Sequence, residues 1–456
     1  MKVVKFGGTS VADAKQILKV VEIVTSDSTR RIVVVSAPGK RHPKDIKVTD
    51  LLIALANAVV AGKPFEGDLA AVVERYAEIQ RELNLDAGIV AEIETDLRRR
   101  IQSRSDNDAQ FMDTMKAAGE DNCAKLVAQV FVRRGSPARY ADPREAGMLL
   151  SEDFGNAQVL PESYDHLATL RDTKEIVVFP GFFGYTLKGQ VATFPRGGSD
   201  ITGSILAAAV KANVYENFTD VDSVYAIDPR IIPDCPAIAI LTYRELRELS
   251  YAGFGVFHDE AVIPAVQAKV PICIKNTNRP EAPGTLVVPQ RKYRHGEVTG
   301  IASAGGFSSI YLSKYMMNRE VGFGRRLLQI LEQEQLSFEH APSGIDNMSV
   351  ILRSAALTPE KESQILHRIR QELRADDVTI EHGLALIMIV GEGMRYAVGM
   401  AAKACTALAY GGINIEMMNQ GSSEISIMFG VKEADRKAAV EALARALLTV
   451  PAKPTC

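Results

Sequence analysis

Two glycine turns, far apart in the chain, carry the residue types that could hold an anion. The first is KFGGTS, in which Lys5 and Phe6 precede Gly7 and Gly8, and a Thr-Ser pair leads toward an apolar helical run from Ala14 to Val24. The second is FPRGGSD, in which Arg196 precedes Gly197 and Gly198, and Ser199 and Asp200 open the helical run Ile201 to Val210. Glycines at a helix start let backbone N–H groups approach a ligand, and the helix N-terminus favours negative charge. A strand, Gly-Gly and then a helix therefore suit a phosphate cradle, with Lys5 at the strand's end able to reach in. The lysine stands before the glycines, so this is not the GxxxxGK[ST] P-loop. Each turn taken alone also suits an ordinary strand-to-helix connection, because Ser and Asp cap helices without any ligand.

The elements that would position these groups alternate. RIVVVSAPGK reads as a buried strand ending at Ser36, after which Thr49 and Asp50 cap an apolar helix. EIVVFPGFFGY and NVYENFTD add further strands. This order points to an α/β fold with a mostly parallel sheet covered by helices on both faces. Ligands then sit beyond the carboxyl ends of the strands, where Lys5, Ser36 and Thr49 fall if the strands are parallel. Residues 64–134 read as almost wholly helical, with SRSDND (103–108) as a solvent loop. Within them Glu120 follows Gly119 at an expected helix start, where an acidic residue commonly partners only the helix dipole. The glycines of FPGFFGY suit a strand ending beside a ligand or another backbone; an aromatic core corner is the alternative. The segment LTYRELRELSYAGFGVFHDEAVIPAVQAKV reads as helical, broken at Gly253 and Gly255. PICIKNTNRPEAPGTLVV closes the sheet, and the Pro-, Gly- and charge-rich stretch at 289–297 reads as a linker.

Beyond that linker the chain repeats itself. Gly322 and Gly399 lie 77 residues apart, as do Glu339 and Glu416, and Ser349 and Ser426. One shared offset indicates a duplicated βαββαβ unit, each copy too small to stand well alone. The expected domains are 1–290, 299–375 and 376–456, the last two interleaved. Neither copy holds an obvious catalytic constellation, so small-molecule binding or dimerisation is the natural role.

At 456 residues the chain needs two or three domains. A formal net charge of −3 argues against nucleic acid as a main partner. No apolar run approaches a membrane span, and Met1 leads directly into a strand. Five scattered cysteines (123, 235, 273, 405 and 456) lack Cys-x-x-Cys spacing, which speaks against a zinc site or a disulfide framework and suits a reducing cytoplasm.

In combination, KFGGTSVAD, VVSAPGK…TDLL, Gly119-Glu120, RGGSD and TDVDSVYAIDPR resemble the aspartate kinases of the amino-acid-kinase (carbamate-kinase-like) superfamily, and the tail resembles paired ferredoxin-like ACT domains. The resemblance spans essentially the whole chain; SYAGFGVFHDEA and EHAPSGID look most like the monofunctional, lysine-responsive branch. It implies transfer of the ATP γ-phosphoryl group to the β-carboxylate of L-aspartate. Lys5 and Asp200 would be catalytic, Lys5 anchoring the γ-phosphate and Asp200 orienting Lys5 and the substrate. Phe6, Gly7, Gly8, Thr219, Asp220, Tyr225 and Arg230 would meet the nucleotide. Ser36, Thr49, Gly197, Gly198 and Ser199 would line the acceptor side, with Arg196 clamping the α-carboxylate and Glu120 pairing with the α-ammonium. Mg2+ would ride on the phosphates with few or no dedicated protein ligands. Lysine, alone or with threonine, would bind near Met317, Gly322, Phe323, Ser337 and Glu339, in a homodimer or homotetramer joined through ACT domains in the cytoplasm. The chain departs from the family at Gly255, where a nucleotide-facing lysine is common, leaving that contact absent or supplied elsewhere, with Lys275 as one candidate. Ser223 replaces a common turn glycine, Glu320 a small polar residue, and His258 reads as a helix-surface or packing residue. A kinase for another acidic amino acid and a catalytically silent amino-acid sensor are the competing readings.

Overall fold

Strands covered on both faces are unbroken apolar runs, and the first strands of this chain are of that kind. The computed structural model describes residues 1–251, 253 and 259–448, so Gly255 and His258 lie outside the described residues. The chain forms two compact units: Met1–Val224, Ala237–Tyr243 and Gly255–Arg291 make the first, and Tyr225–Pro236, Arg244–Phe254 and Lys292–Cys456 the second. Two interior stretches assigned by sequence to the first domain thus belong to the second unit.

The first unit contains β1 (Lys2–Phe6), β2 (Arg30–Val35), β3 (Ala138–Tyr140), β4 (Ile176–Pro180), β5 (Phe183–Tyr185), β6 (Val191–Thr193), β7 (Val214–Thr219), β8 (Ile240–Thr242), β9 (Ile272–Asn276) and β10 (Thr285–Val288). Eight of these form one sheet in the order β3-β4-β2-β1-β7-β9-β10-β8. Neighbours are parallel from β3 through β9; β10 runs antiparallel to β9, and β8 parallel to β10. Its helices are α1 (Ala14–Thr25), α2 (Val48–Val60), α3 (Glu66–Leu83), α4 (Gly88–Gln102), α5 (Asp108–Arg133), α6 (Pro143–Ala146), α7 (Glu162–Leu167), α8 (Gly198–Ala209) and α10 (Ile263–Gln267); α9 (Tyr243–Tyr251) lies almost wholly in the second unit.

Alternation along β1 decides what faces what. Val4 and Phe6 join Val33, Val35 and Phe218 in one core with α1, α2, α3 and α5, and the Phe6 and Phe218 rings stack at 4.9 Å. Lys5 is one residue out of step and points to the other face, where the start of α8 packs. On the first face, Asp113 of α5 is 1 % exposed and accepts from Gly155 N at 2.7 Å, Thr193 N at 2.8 Å and Thr193 Oγ1 at 2.8 Å. Removing that carboxylate would strand buried donors, at a cost on the order of 1–3 kcal/mol each.

The second unit adds β11 (Gly300–Ser313), β12 (Asn347–Arg353), β13 (Asp377–Val390), β14 (Met417–Asn419) and β15 (Ser426–Lys432), with α11 (Phe323–Gln333), α12 (Pro359–Arg368), α13 (Met400–Tyr410) and α14 (Arg436–Leu447). The 77-residue offset holds for the long strands β11 and β13, for α11 and α13, and for the starts of α12 and α14. All five strands form one sheet, β12-β11-β13-β15-β14. The carboxyl half of β11 pairs with β12 and the first half of β13; the amino half, Gly300 to Ala304, pairs with the second half of β13, which also pairs with β15. Register shifts between Ala304 and Ser309 separate the two halves. Between α11 and β12 the chain makes isolated bridges, from His340 to Ile351 and from Ser343 to Met348.

Candidate active site

Parallel strands bring their carboxyl ends to one edge. Phe6 of β1 is level with Val35 of β2 and Phe218 of β7, and Thr219 of β7 with Asn276 of β9. The loops leaving these ends are laced together. Ser36 N donates to Phe6 O at 3.2 Å, Gly39 N to Gly8 O at 2.8 Å, and Gly181 N to Val35 O at 2.9 Å. Ser10 and Thr277 share a hydroxyl hydrogen bond at 2.6 Å.

The two glycine turns meet here. Lys5 is 7 % exposed, and its Nζ lies 2.6 Å from Asp200 Oδ1. Asp200 sits in the first turn of α8, whose N-cap is Gly197 at φ 80°. That left-handed conformation, and the contact of the turn with the β4–β5 loop, both require glycine. A Cβ on Gly198 would lie 3.0 Å from Phe182 Cα, and one on Gly181 2.9 Å from Ser199 Cα. The glycine at Gly181 in FPGFFGY therefore serves close backbone approach.

Glu120 is not at a helix start. It lies in the middle of α5, which is capped at Asn107 by side-chain bonds from Ala109 N at 3.0 Å and Gln110 N at 3.2 Å. Gly119 is a packing residue and not a breaker: its Cβ would lie 2.8 Å from Ala37 Cβ and 3.2 Å from Leu52 Cδ1. This approach puts Glu120 beneath the end of β2. Glu120 is 6 % exposed, and its Oε2 has no hydrogen-bond partner among the described residues. Desolvation pushes its pKa up to about 8 against weaker help from the Ala37 N–H and Lys47. A buried carboxylate with an open acceptor calls for a cation.

Thr49 stands one residue inside α2, whose N-cap is Lys47; no side chain caps it. Arg196 is exposed and makes no hydrogen bond or ion pair among the described residues. At the end of β7, Thr219 Oγ1 donates to Asp220 Oδ1 at 3.1 Å, and Asp222 accepts from Asn276 and Arg279, each at 2.6 Å. Lys275 is level with Phe218, on the sheet face opposite Lys5. Tyr225 and Arg230 fall in the second unit, where Arg230 pairs with Asp228 at 2.7 Å.

Residues 1–276 match the amino acid kinase family and residues 387–447 an ACT domain. The chain is 55% identical to Aspartokinase 3 of Bacillus subtilis over 97% of its own length and 98% of that protein's. The chain belongs to the aspartokinase family. The Clostridium acetobutylicum aspartate kinase has a similar structure, with a TM-score of 0.88 at 37% identity, covering 98% of this chain and 99% of that one. Two structures of Escherichia coli aspartokinase III, one in complex with aspartate and ADP and one with lysine and aspartate, give TM-scores of 0.76 and 0.75 at 26% identity, each covering 98% of this chain and 99% of theirs.

In the aspartokinase tail, Gly322 is the left-handed N-cap of α11 at φ 76°. Phe323 and Met317 are buried, and Lys314 Nζ lies 5.5 Å from the centre of the Phe323 ring. Ser337 is exposed along an open groove of about 1000 Å³ beside α11. Glu339 is engaged, accepting from Arg353 Nε at 3.0 Å and from the Tyr251 hydroxyl. Glu320 pairs with Lys314 and Arg326.

Sequence reasoning missed Asn217, whose amide donates to Asp200 Oδ1 at 2.6 Å. A single asparagine in a strand gives no local signal; only the parallel register with Lys5 could have marked it.

Proposed function

We propose that the strand-end site transfers the γ-phosphoryl group of ATP to the β-carboxylate of L-aspartate, giving 4-phospho-L-aspartate. The observation that carries this reading is the pairing of Lys5 with Asp200 at the strand end, together with the buried Glu120 under the neighbouring loop, one oxygen of which is without a partner among the described residues. The aspartate carboxylate is already ionised at neutral pH, so it needs no general base. The remaining work is alignment and the neutralisation of charge spreading over the transferring group. Lys5 does this from the γ-phosphate side, with the Gly7 and Gly8 backbone beside it. Asp200 steers Lys5, Arg196 forks onto the substrate α-carboxylate, and Glu120 takes the α-ammonium, which restores its charged form. Ser36, Thr49 and Ser199 line the acceptor side, and Thr219 and Asp220 take the nucleotide. Magnesium accompanying the nucleotide would neutralise phosphate charge, with the exposed Asp220 as the acidic group that would face it at that strand end.

The same reading makes this the first step of the aspartate route to lysine, threonine and methionine, restrained by lysine at the ACT unit near Met317, Gly322, Phe323, Ser337 and Glu339. It places the enzyme in the cytoplasm as a homodimer or homotetramer. The complex of Escherichia coli aspartokinase III with lysine and aspartate supports the choice of effector. An ATP-dependent hydroxamate assay across aspartate, glutamate and N-acetylglutamate, with and without lysine, tests it. Turnover on aspartate that lysine suppresses is expected; equal turnover on glutamate, or none on any acid, overturns the reading.

A further inference from the structure

We propose that Asn217 is a positioning residue for phosphoryl transfer, holding the Asp200 carboxylate in place while Lys5 turns from it toward the phosphate. This rests on the reading of Lys5 and Asp200 given above. Asn217 lies on β7 directly across from Lys5 on β1, so both side chains leave the sheet on the α8 face. It is 1 % exposed. Its Nδ2 donates at 2.6 Å to Asp200 Oδ1, the oxygen that Lys5 Nζ also approaches at 2.6 Å. Tyr215, on the same face of β7, donates its hydroxyl to Asp200 O at 3.2 Å and lies 3.3 Å from the Asn217 amide.

One carboxylate oxygen is thus shared by a cation and a neutral donor. As charge builds on the transferring group, the Lys5 ammonium must give hydrogen bonds to phosphate oxygens, and Asp200 loses part of its partner. A half-buried carboxylate left short of donors would turn out of line toward solvent. The amide prevents this, and being neutral it does not compete with Lys5 for the phosphate. The titratable groups in contact with Asp200 are Lys5 from β1 and Tyr215 from β7, and burial keeps the Tyr215 phenol neutral by pushing its pKa well up.

The test is steady-state kinetics with aspartate and ATP on Asn217→Leu and Asn217→Asp, beside Lys5→Ala. Asn217→Leu should lower kcat about ten- to hundredfold, the range for a hydrogen bond to a charged group, with both KM values little changed. Asn217→Asp keeps the shape but puts a second carboxylate beside Asp200, so the acid limb of the kcat–pH profile should move to higher pH. A purely structural asparagine would lower the melting temperature without moving that limb, which would overturn the proposal. So would wild-type kcat and pH limb in both variants while Lys5→Ala is inactive; should Asn217→Leu fail to fold, the pH limb of Asn217→Asp decides. Near-normal turnover in Lys5→Ala would instead overturn the parent reading, and this proposal with it.

Discussion

Two carboxylates reach the same strand ends from opposite faces of the sheet, and the fold treats them in opposite ways. Asp200, in the first turn of α8, already holds Lys5 and Asn217. Glu120, in the middle of α5, is sealed among apolar groups with one oxygen unpartnered and a pKa near 8. On the proposed function, the first arrangement stands before any ligand arrives and its ion pair would be loosened for chemistry to proceed. The second would be completed by the substrate ammonium, which would restore its charge. One side of the site would then serve rate and the other affinity, and substitutions on the two sides should separate kcat from KM.

The widest separation is expected at Lys5. Lys5→Ala should lower kcat about a thousandfold, as loss of a principal electrostatic contact does. Its circular dichroism should stay native, because Asn217 still partners Asp200. Turnover within tenfold of wild type would erase the distinction between the two sides.

Glu120→Gln should raise the aspartate KM about ten- to hundredfold while kcat is largely retained. It also carries a pH signature. The folded, ligand-free chain keeps Glu120 protonated to about pH 8, whereas an ordinary glutamate titrates near 4.5. Its contribution to stability is therefore full below pH 4.5 and drains away as pH rises toward 8, a slope that Glu120→Gln should lack in thermal melts. An incoming ammonium favours the ionised form, so calorimetry near pH 7 in buffers of different ionisation enthalpy should register proton release on aspartate binding. No such release, or the same release in Glu120→Gln, would place the ammonium elsewhere.

Arg196→Lys should raise the aspartate KM about tenfold, since one ammonium cannot reproduce a paired contact to a carboxylate. An unmoved KM would remove Arg196 from the affinity side. The smallest effect on turnover is expected at Glu339: Glu339→Ala should match wild type without lysine and resist inhibition when lysine is added. Unchanged inhibition curves would shift the effector to other residues, starting with the groove beside Ser337.

What the sequence made legible follows from how local each signal is. β1, β2 and β4 are plain because a strand covered on both faces leaves an unbroken apolar run, and Lys5 is conspicuous as the one charge near the buried end of such a run. The RGGSD turn was readable because a left-handed N-cap needs glycine. Glu120 was placed at a helix start because Gly119 looks like a breaker; only its contact with Ala37 and Leu52 shows that the glycine lets a continuous helix come close. Asn217 was invisible for a different reason, since it meets Asp200 only through the register of β7 against β1 and the packing of α8 on that face. The membership of Tyr225–Pro236 in the second unit was equally hidden, resting on pairings such as Ile301 N with Ala226 O at 2.7 Å.

The fourteen-residue strands β11 and β13 have an outcome for anyone cutting this gene into pieces. A polypeptide ending at residue 375 would keep Gly300 to Ala304 but lose every residue they ladder with, leaving bare amide edges open to stray association. A fragment beginning at residue 376 would lack its outermost strand altogether. The duplicated halves are thus inherited as an indivisible whole, and recombination at the midpoint of the repeat would break the sheet they share.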